Sequence, residues 1–267
     1  MEVIIPGEKA RKLYDKRARP LAGLTVVGNG LSWNGLKNKV EKGPNLIVAN
    51  HPGIYKDIGL LIALYQRQLF FLANKEIFTK KDFDKLIRNS VNMICKKNFP
   101  SFGLSIGNNF NFFSSALRLG IVKYVSSRIA DVGSIPVSIN GKNSNSGYKQ
   151  IVEKYLLNNL AVVVMQPNKD ENVSRYDKYN KEIKEFRYGA SKIAYNMKTK
   201  YDLDIPVTPI SIKGTSGFFF EPLGRIKVNI GEPIYISEKK YWEKANPVKN
   251  FKEGLEQIVV ELYHDFK

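Results

Sequence analysis

A chain of 267 residues, 43% hydrophobic and 12% aromatic, can bury one substantial core, which excludes a disordered chain and makes a single domain the default. Its 42 Lys and Arg against 25 Asp and Glu leave a formal charge of +17, which points to an anionic partner such as nucleic acid, an acidic membrane surface, a phosphorylated substrate or an acidic carrier protein. Cys95 is the only cysteine, so neither an intramolecular disulfide nor a cysteine metal cluster can form, and a reducing compartment is expected. The richness in Lys, Asn, Ile and Tyr offers a second source for the charge, a bias in genome composition.

The opening stretch MEVIIPGEKARKLYDKRARP lacks an apolar core of signal-peptide length, and nowhere do eighteen apolar residues run together. Neither export nor membrane crossing is therefore predicted, while a position on a membrane surface stays open. Residues 8 to 20 are basic and read as a helix, and GLTVVGNGLSW reads as a short strand and turn. NLIVAN, Asn45 to Asn50, is a buried strand by its unbroken apolar character and the Pro44 before it. DIGLLIALYQRQ then reads as a helix with Asp57 as its N-cap, well placed for the helix dipole. LFFLANKEIF follows as a second strand running into a turn, and strand, helix, strand is the unit of a mainly parallel sheet.

Between about residues 80 and 128 the pattern changes. Phe110, Phe113, Leu117, Ile121 and Tyr124 recur at spacings of three and four, which predicts one helical stripe packed on a core. The preceding KKNFPSFGLSIGNNFNFF mixes Gly, Asn and Phe without a period and reads as a loop or a membrane-contacting insertion. Four further strands are predicted at GSIPVSIN, LAVVVMQPN, IPVTPISIKG and RIKVNIGEPIYI, with helices at YKQIVEKYLLNN, FRYGASKIAYNMKTK and FKEGLEQIVVELYHDF. No linker or repeat divides the chain, so residues 1–267 are expected to form one α/β domain with an insertion at about 80–128.

His51 is one of two histidines, and it stands where NLIVAN ends and Pro52-Gly53 turns the chain toward a helix. That is where open α/β sheets place their ligand crevices, and imidazole has the right basicity to take a proton from a hydroxyl near neutrality. A polar turn histidine bonded only to backbone fits the same position. His264, near the end of the last helix, reads as a surface residue.

Were residues 51 to 57 helical, Asp57 would lie roughly 120° around the axis and about 9 Å along it from His51, too far to pair. In a Pro-Gly turn the carboxylate can fold back, fix the tautomer and stabilise the imidazolium. Lys56 cannot accept the imidazole N–H, so Asp57 is the expected partner, with Lys56 pointing to solvent. No Ser or Cys nucleophile motif accompanies the pair, so direct attack by a substrate hydroxyl fits better than a covalent enzyme intermediate.

NLIVANHPGIYKDI resembles the first block of the glycerolipid acyltransferase superfamily, typified by 1-acylglycerol-3-phosphate acyltransferases, in which Asn-His is followed after four residues by Asp. Further blocks recur in the family's order: FLANKEIF resembles its strand with a Lys-Glu pair, and GSIPVSIN its Gly-x-Ile-x-x-x-Arg. AVVVMQPNKDEN stands in place of Phe-Pro-Glu-Gly-Thr-Arg, EFRYGASKIA resembles the Phe-Lys-x-Gly helix, and IPVTPISIKGT resembles the fourth block. VNIGEPI matches a late Gly-Glu-Pro-Ile, so the resemblance spans about residues 10 to 260.

The resemblance implies a single α/β domain with a largely parallel central sheet flanked by helices. It implies acyl transfer from acyl-CoA or acyl-carrier protein to a lysophospholipid, with His51 as general base oriented by Asp57. Asn50, Lys75, Asn140, Lys142, Pro167, Asn168, Lys169 and Arg175 would bind substrate, Lys142, Lys169 and Arg175 replacing phosphate-binding groups the family's pattern has lost here. Asn140 holds the family's arginine position, Asn168 and Lys169 stand for its Glu-Gly, and five residues separate His51 from Asp57 where the family has four. No metal and no cofactor beyond the thioester co-substrate is implied, and the expected location is the cytoplasmic face of an anionic membrane, peripherally bound. A non-catalytic lipid-binding member and an acyltransferase for another acceptor remain as alternatives. Nucleic acid is not an expected partner, since the basic residues form no interleaved aromatic-basic block.

Overall fold

The computed structural model describes residues 7–20, 22–23, 30–53, 56–82, 84–85, 129, 133–137, 147–166, 174–178, 180–215 and 226–266. The Phe-rich insertion, Cys95, Asn140, Lys142, Pro167, Asn168 and Lys169 lie outside these residues.

In chain order the elements are α1 (Glu8–Leu13, continued by a π-helical turn Tyr14–Ala18), β1 (Ser32–Asn34), β2 (Asn45–Asn50), α2 (Lys56–Leu64), β3 (Leu69–Asn74) and β4 (Ile135–Val137). There follow α3 (Gly147–Leu157), β5 (Ala161–Gln166), α4 (Gly189–Tyr201), β6 (Val207–Lys213), β7 (Lys227–Ile230), α5 (Lys239–Trp242) and α6 (Pro247–His264). Among the described residues, seven strands form one sheet in the order β1-β7-β6-β2-β5-β3-β4. The block β6-β2-β5-β3-β4 is parallel throughout, and β7 joins β6 antiparallel with β1 parallel to β7 at the edge. The expected single α/β domain with a largely parallel sheet flanked by helices is what the chain forms.

Both faces of this sheet are covered, which is why its central strands read as unbroken apolar runs. Leu46 and Val48 of β2 and Val162 and Val164 of β5 face a cluster filled by α3, α4 and α6. Their alternates Ile47, Ala49, Ala161 and Val163 face a second cluster with Leu60 and Leu61 of α2 and Tyr14 of the N-terminal segment. The chain therefore leaves β2 over one face through α2 and leaves β5 over the other through α4, so the connections diverge between two neighbouring strands. Such a switch point opens a crevice at the carboxyl ends of the strands. The register pairs Asn50 with Gln166, so β2 and β5 end level with each other.

The last helix begins earlier than its apolar pattern suggests, at Pro247, because the Asn246 side chain accepts from the Lys249 amide at 3.0 Å and Pro fits the first helical position. Its inner face carries a charge: Glu256 is fully buried and accepts from Ser174 Oγ at 2.8 Å, from the Phe186 amide at 3.1 Å and from Lys252 Nζ at 2.9 Å. Lys252, also buried, donates to Glu185 at 2.6 Å. This network ties α6 to the segment that returns from β5. Glu256→Ala strands the Ser174 and Phe186 donors in the interior, leaves Lys252 with Glu185 alone, and is expected to destabilise by about 3 kcal/mol, read as a lowered urea midpoint.

His264 does more than sit on the surface. Its Nε2 lies 3.3 Å from Asp177 Oδ1 and its Nδ1 is 3.0 Å from Asn180 Nδ2, which fastens the end of α6 to the same returning segment.

Candidate active site

β2 delivers His51 to the crevice, and Asn50 sets the level. The Asn50 amide donates to the Ile212 carbonyl at 2.8 Å, and its Oδ1 accepts from the Ile212 N–H at 2.7 Å, beyond the last backbone register pair of β2 and β6, Ala49 with Ile210. This residue, expected to bind substrate, has both ends of its amide engaged in clamping the two strand ends together.

Asp57 lies within the first turn of α2 and does not cap it, contrary to expectation. Its carboxylate turns back toward the strand: Oδ2 is 2.6 Å from His51 Nδ1 and accepts from the Gly53 N–H at 2.9 Å. A carboxylate can only accept here, so Nδ1 carries the proton, and in the neutral ring this leaves Nε2 as the acceptor. Asp57 is completely buried, whereas the His51 side chain is 25% exposed, so the pair has a closed end and an open end. The carboxylate thus reaches the imidazole although five residues separate the two in sequence.

Gly53 makes that turn possible. A Cβ at this position would fall 2.3 Å from the Thr215 carbonyl oxygen, so only glycine permits this approach of the turn to the end of β6. Gly53→Ala is expected to push the two segments apart, weaken the Gly53 to Asp57 bond and lower both melting temperature and activity. The Gly53 amide is also removed from the donors available to an oxyanion, since Asp57 already holds it.

Lys56 is the plain correction. It is expected to face solvent and is instead 4% exposed. The rotation of α2 about its axis, set by Leu60 and Leu61 packing on the sheet, carries Lys56 inward with Leu60 four residues on.

Lys75 opens the short 3₁₀ turn at the end of β3 and is exposed at the same carboxyl edge. Arg175 is elsewhere engaged: its Nη2 lies 2.7 Å from Glu253 of α6, and its guanidinium stacks 4.7 Å over the Tyr176 ring. Gln166, missed from sequence, is buried at the end of β5 and accepts from the Arg187 amide at 3.0 Å, closing the excursion 167–186 at its base. Gln166 has no signature of its own; only its level with Asn50 marks it. Among the described residues no group of three or more His, Cys, Asp or Glu is arranged to hold a metal, and no helix is long and apolar enough to cross a membrane.

The family model described as Acyltransferase matches residues 31–213, a span that includes β1 to β6 and the His51 turn. No curated protein matches the chain. Among solved structures, the 1-acyl-sn-glycerophosphate (LPA) acyltransferase PlsC from Thermotoga maritima is similar with a TM-score of 0.55 at 15% identity, covering 97% of this chain and 83% of that one.

Proposed function

We propose, since this chain belongs to the acyltransferase family, that it moves a fatty acyl group from acyl-CoA or acyl-carrier protein to the hydroxyl of a lysophospholipid such as lysophosphatidic acid. The observation that carries this reading is the His51–Asp57 contact at 2.6 Å, between a fully buried carboxylate and a histidine side chain that keeps 25% exposure. In the reaction His51 Nε2 takes the proton of the acceptor hydroxyl as its oxygen attacks the thioester carbonyl. Asp57 holds the tautomer and stabilises the imidazolium, whose charge it meets in a dry environment. The tetrahedral intermediate collapses with cleavage of the C–S bond, and the imidazolium returns its proton to the departing thiolate. The products are an ester and a free thiol, without a covalent enzyme intermediate and without a metal or redox cofactor in the scheme.

The test is incubation with labelled acyl-CoA or acyl-carrier protein and a panel of lysolipids, with the products identified by mass spectrometry. A diacyl phospholipid product supports the reading. An ester formed only on an acceptor without phosphate assigns a different acceptor, which the altered second and third blocks favour. Binding without turnover would point to a lipid-binding protein with no catalysis.

The acceptor is water-insoluble, so the enzyme works at the cytoplasmic face of a membrane as a peripheral protein. Lys9, Arg11, Lys12, Lys16 and Arg17 stand exposed along the N-terminal helix, while Tyr14 anchors it, buried and accepting from the Leu69 amide at 3.3 Å. Each basic side chain near an anionic surface adds roughly 1 kcal/mol of attraction. Vesicle flotation should show binding to anionic liposomes that falls with salt, and equal binding to neutral and anionic liposomes would remove this membrane role.

A further inference from the structure

Lys56 is only 4% exposed and no described residue supplies it a hydrogen bond or an ion pair, yet its Nζ is not among the fully enclosed unpartnered atoms, so the little surface it keeps includes the ammonium group. Holding an ammonium group this far from water without a partner is unfavourable, and an anionic ligand reaching it would offset that cost. Its surroundings define where that ligand would sit. Lys56 is the first residue of the nine-residue α2, on the sheet-facing side with Leu60. Side chains on a helix lean toward its N-terminus, and the N-terminus of α2 stands at the carboxyl edge of the sheet beside His51. The Lys56 stem therefore runs toward the crevice between β2 and β5. The acid next to it, Asp57, makes no ion pair with it: Oδ2 is held by His51 and the Gly53 amide, and Oδ1 is buried without a hydrogen-bond partner among the described residues. The positive end of the α2 dipole adds to the attraction for an anion there.

We infer that Lys56 is a substrate-binding residue that receives the phosphate monoester of the acyl acceptor and so sets its hydroxyl beside His51 Nε2. This rests on the acyl-transfer reading. It assigns headgroup recognition to a residue between His51 and Asp57, where the sequence suggests Lys142, Lys169 and Arg175. Of these, Arg175 is already paired with Glu253.

The experiment compares wild type, K56M, K56Q and K56R in two assays. One is acyl transfer from acyl-CoA to lysophosphatidic acid and to monoacylglycerol. The other is equilibrium binding of sn-glycerol 3-phosphate, which needs no turnover. K56M and K56Q should raise KM for lysophosphatidic acid on the order of tenfold to a hundredfold, the range for a lost hydrogen bond to a charged group. KM for acyl-CoA should stay within about twofold, and transfer to monoacylglycerol, which has no phosphate to lose, is the reference against which the loss with lysophosphatidic acid is read. Glycerol 3-phosphate binding should be lost in both and largely kept in K56R. The melting temperature of K56M should equal or exceed that of wild type, since an unpaired buried charge is removed; a purely structural lysine would give the opposite sign.

An unchanged KM for lysophosphatidic acid with unchanged glycerol 3-phosphate binding overturns the inference, as does a rise confined to acyl-CoA, which would place a donor phosphate there. Should wild type acylate no lysolipid, the acyl-transfer reading fails by itself and the glycerol 3-phosphate titration still decides Lys56. Absence of that binding in wild type overturns the Lys56 assignment as well. If K56M does not fold, K56Q carries the comparison.

Discussion

His51→Ala is expected to lower acyl transfer by roughly four orders of magnitude or to background, the scale on which loss of a base in a coupled unit is felt. The fold should persist, because His51 lies at the open end of the turn and belongs to neither apolar cluster. A smaller stability loss of about 1–2 kcal/mol should accompany it, since among the described residues the buried Asp57 carboxylate keeps only the Gly53 amide as partner. Circular dichroism and a denaturant titration separate the two effects. The double variant His51→Ala with Asp57→Asn should recover part of the stability while staying inactive, because the uncompensated charge is gone. Retention of substantial activity in a folded His51→Ala protein would remove the histidine from the chemistry.

Asp57→Asn should lower kcat by two to four orders of magnitude while leaving the melting temperature close to wild type. The amide oxygen can still accept from Gly53 N–H, and then no carboxylate remains to hold the proton on His51 Nδ1 or to face the imidazolium. Asp57 Oδ1 is buried and has no hydrogen-bond partner among the described residues, so the new NH₂ placed there gives up no existing bond. The pairing of a near-silent stability change with a large kinetic one is what separates an orienting carboxylate from a helix cap. Asn caps about as well as Asp, so a cap would lose neither. Full activity in this variant would dissolve the dyad and most of the argument for catalysis with it.

Local patterns carried much of the architecture. The runs NLIVAN and AVVVMQ announce strands buried on both faces, and the spacing in α4 and α6 announces helices with one apolar side. The short α5 carries no such period over four residues, and the start of α4 at Gly189 follows from the anchoring of Arg187 to Gln166 instead of from the apolar pattern. The His51–Asp57 pair was legible for a definite reason: both partners lie in one turn six residues apart, and Pro52-Gly53 rules out the helical path that would separate them.

What the tertiary structure alone decided are the states of charged and polar side chains whose partners are remote in the chain. Asn50 in a buried strand carries no mark of its clamp on Ile212, 162 residues away. Gly53 is one more turn glycine until Thr215 is packed against it. Glu256 and Lys252 look like the solvated charges of an amphipathic helix, yet Ser174, Phe186 and Glu185 close over them. Lys56, a lysine at a helix start, reads as solvent-facing from its neighbours in sequence. Its burial follows from how α2 is rotated against the sheet, and that rotation is fixed by the contacts of Leu60 and Leu61 with strands elsewhere in the chain. Periodicity reports which face of an element is apolar because that property is local, whereas the partner of a polar group depends on which distant segment is packed beside it.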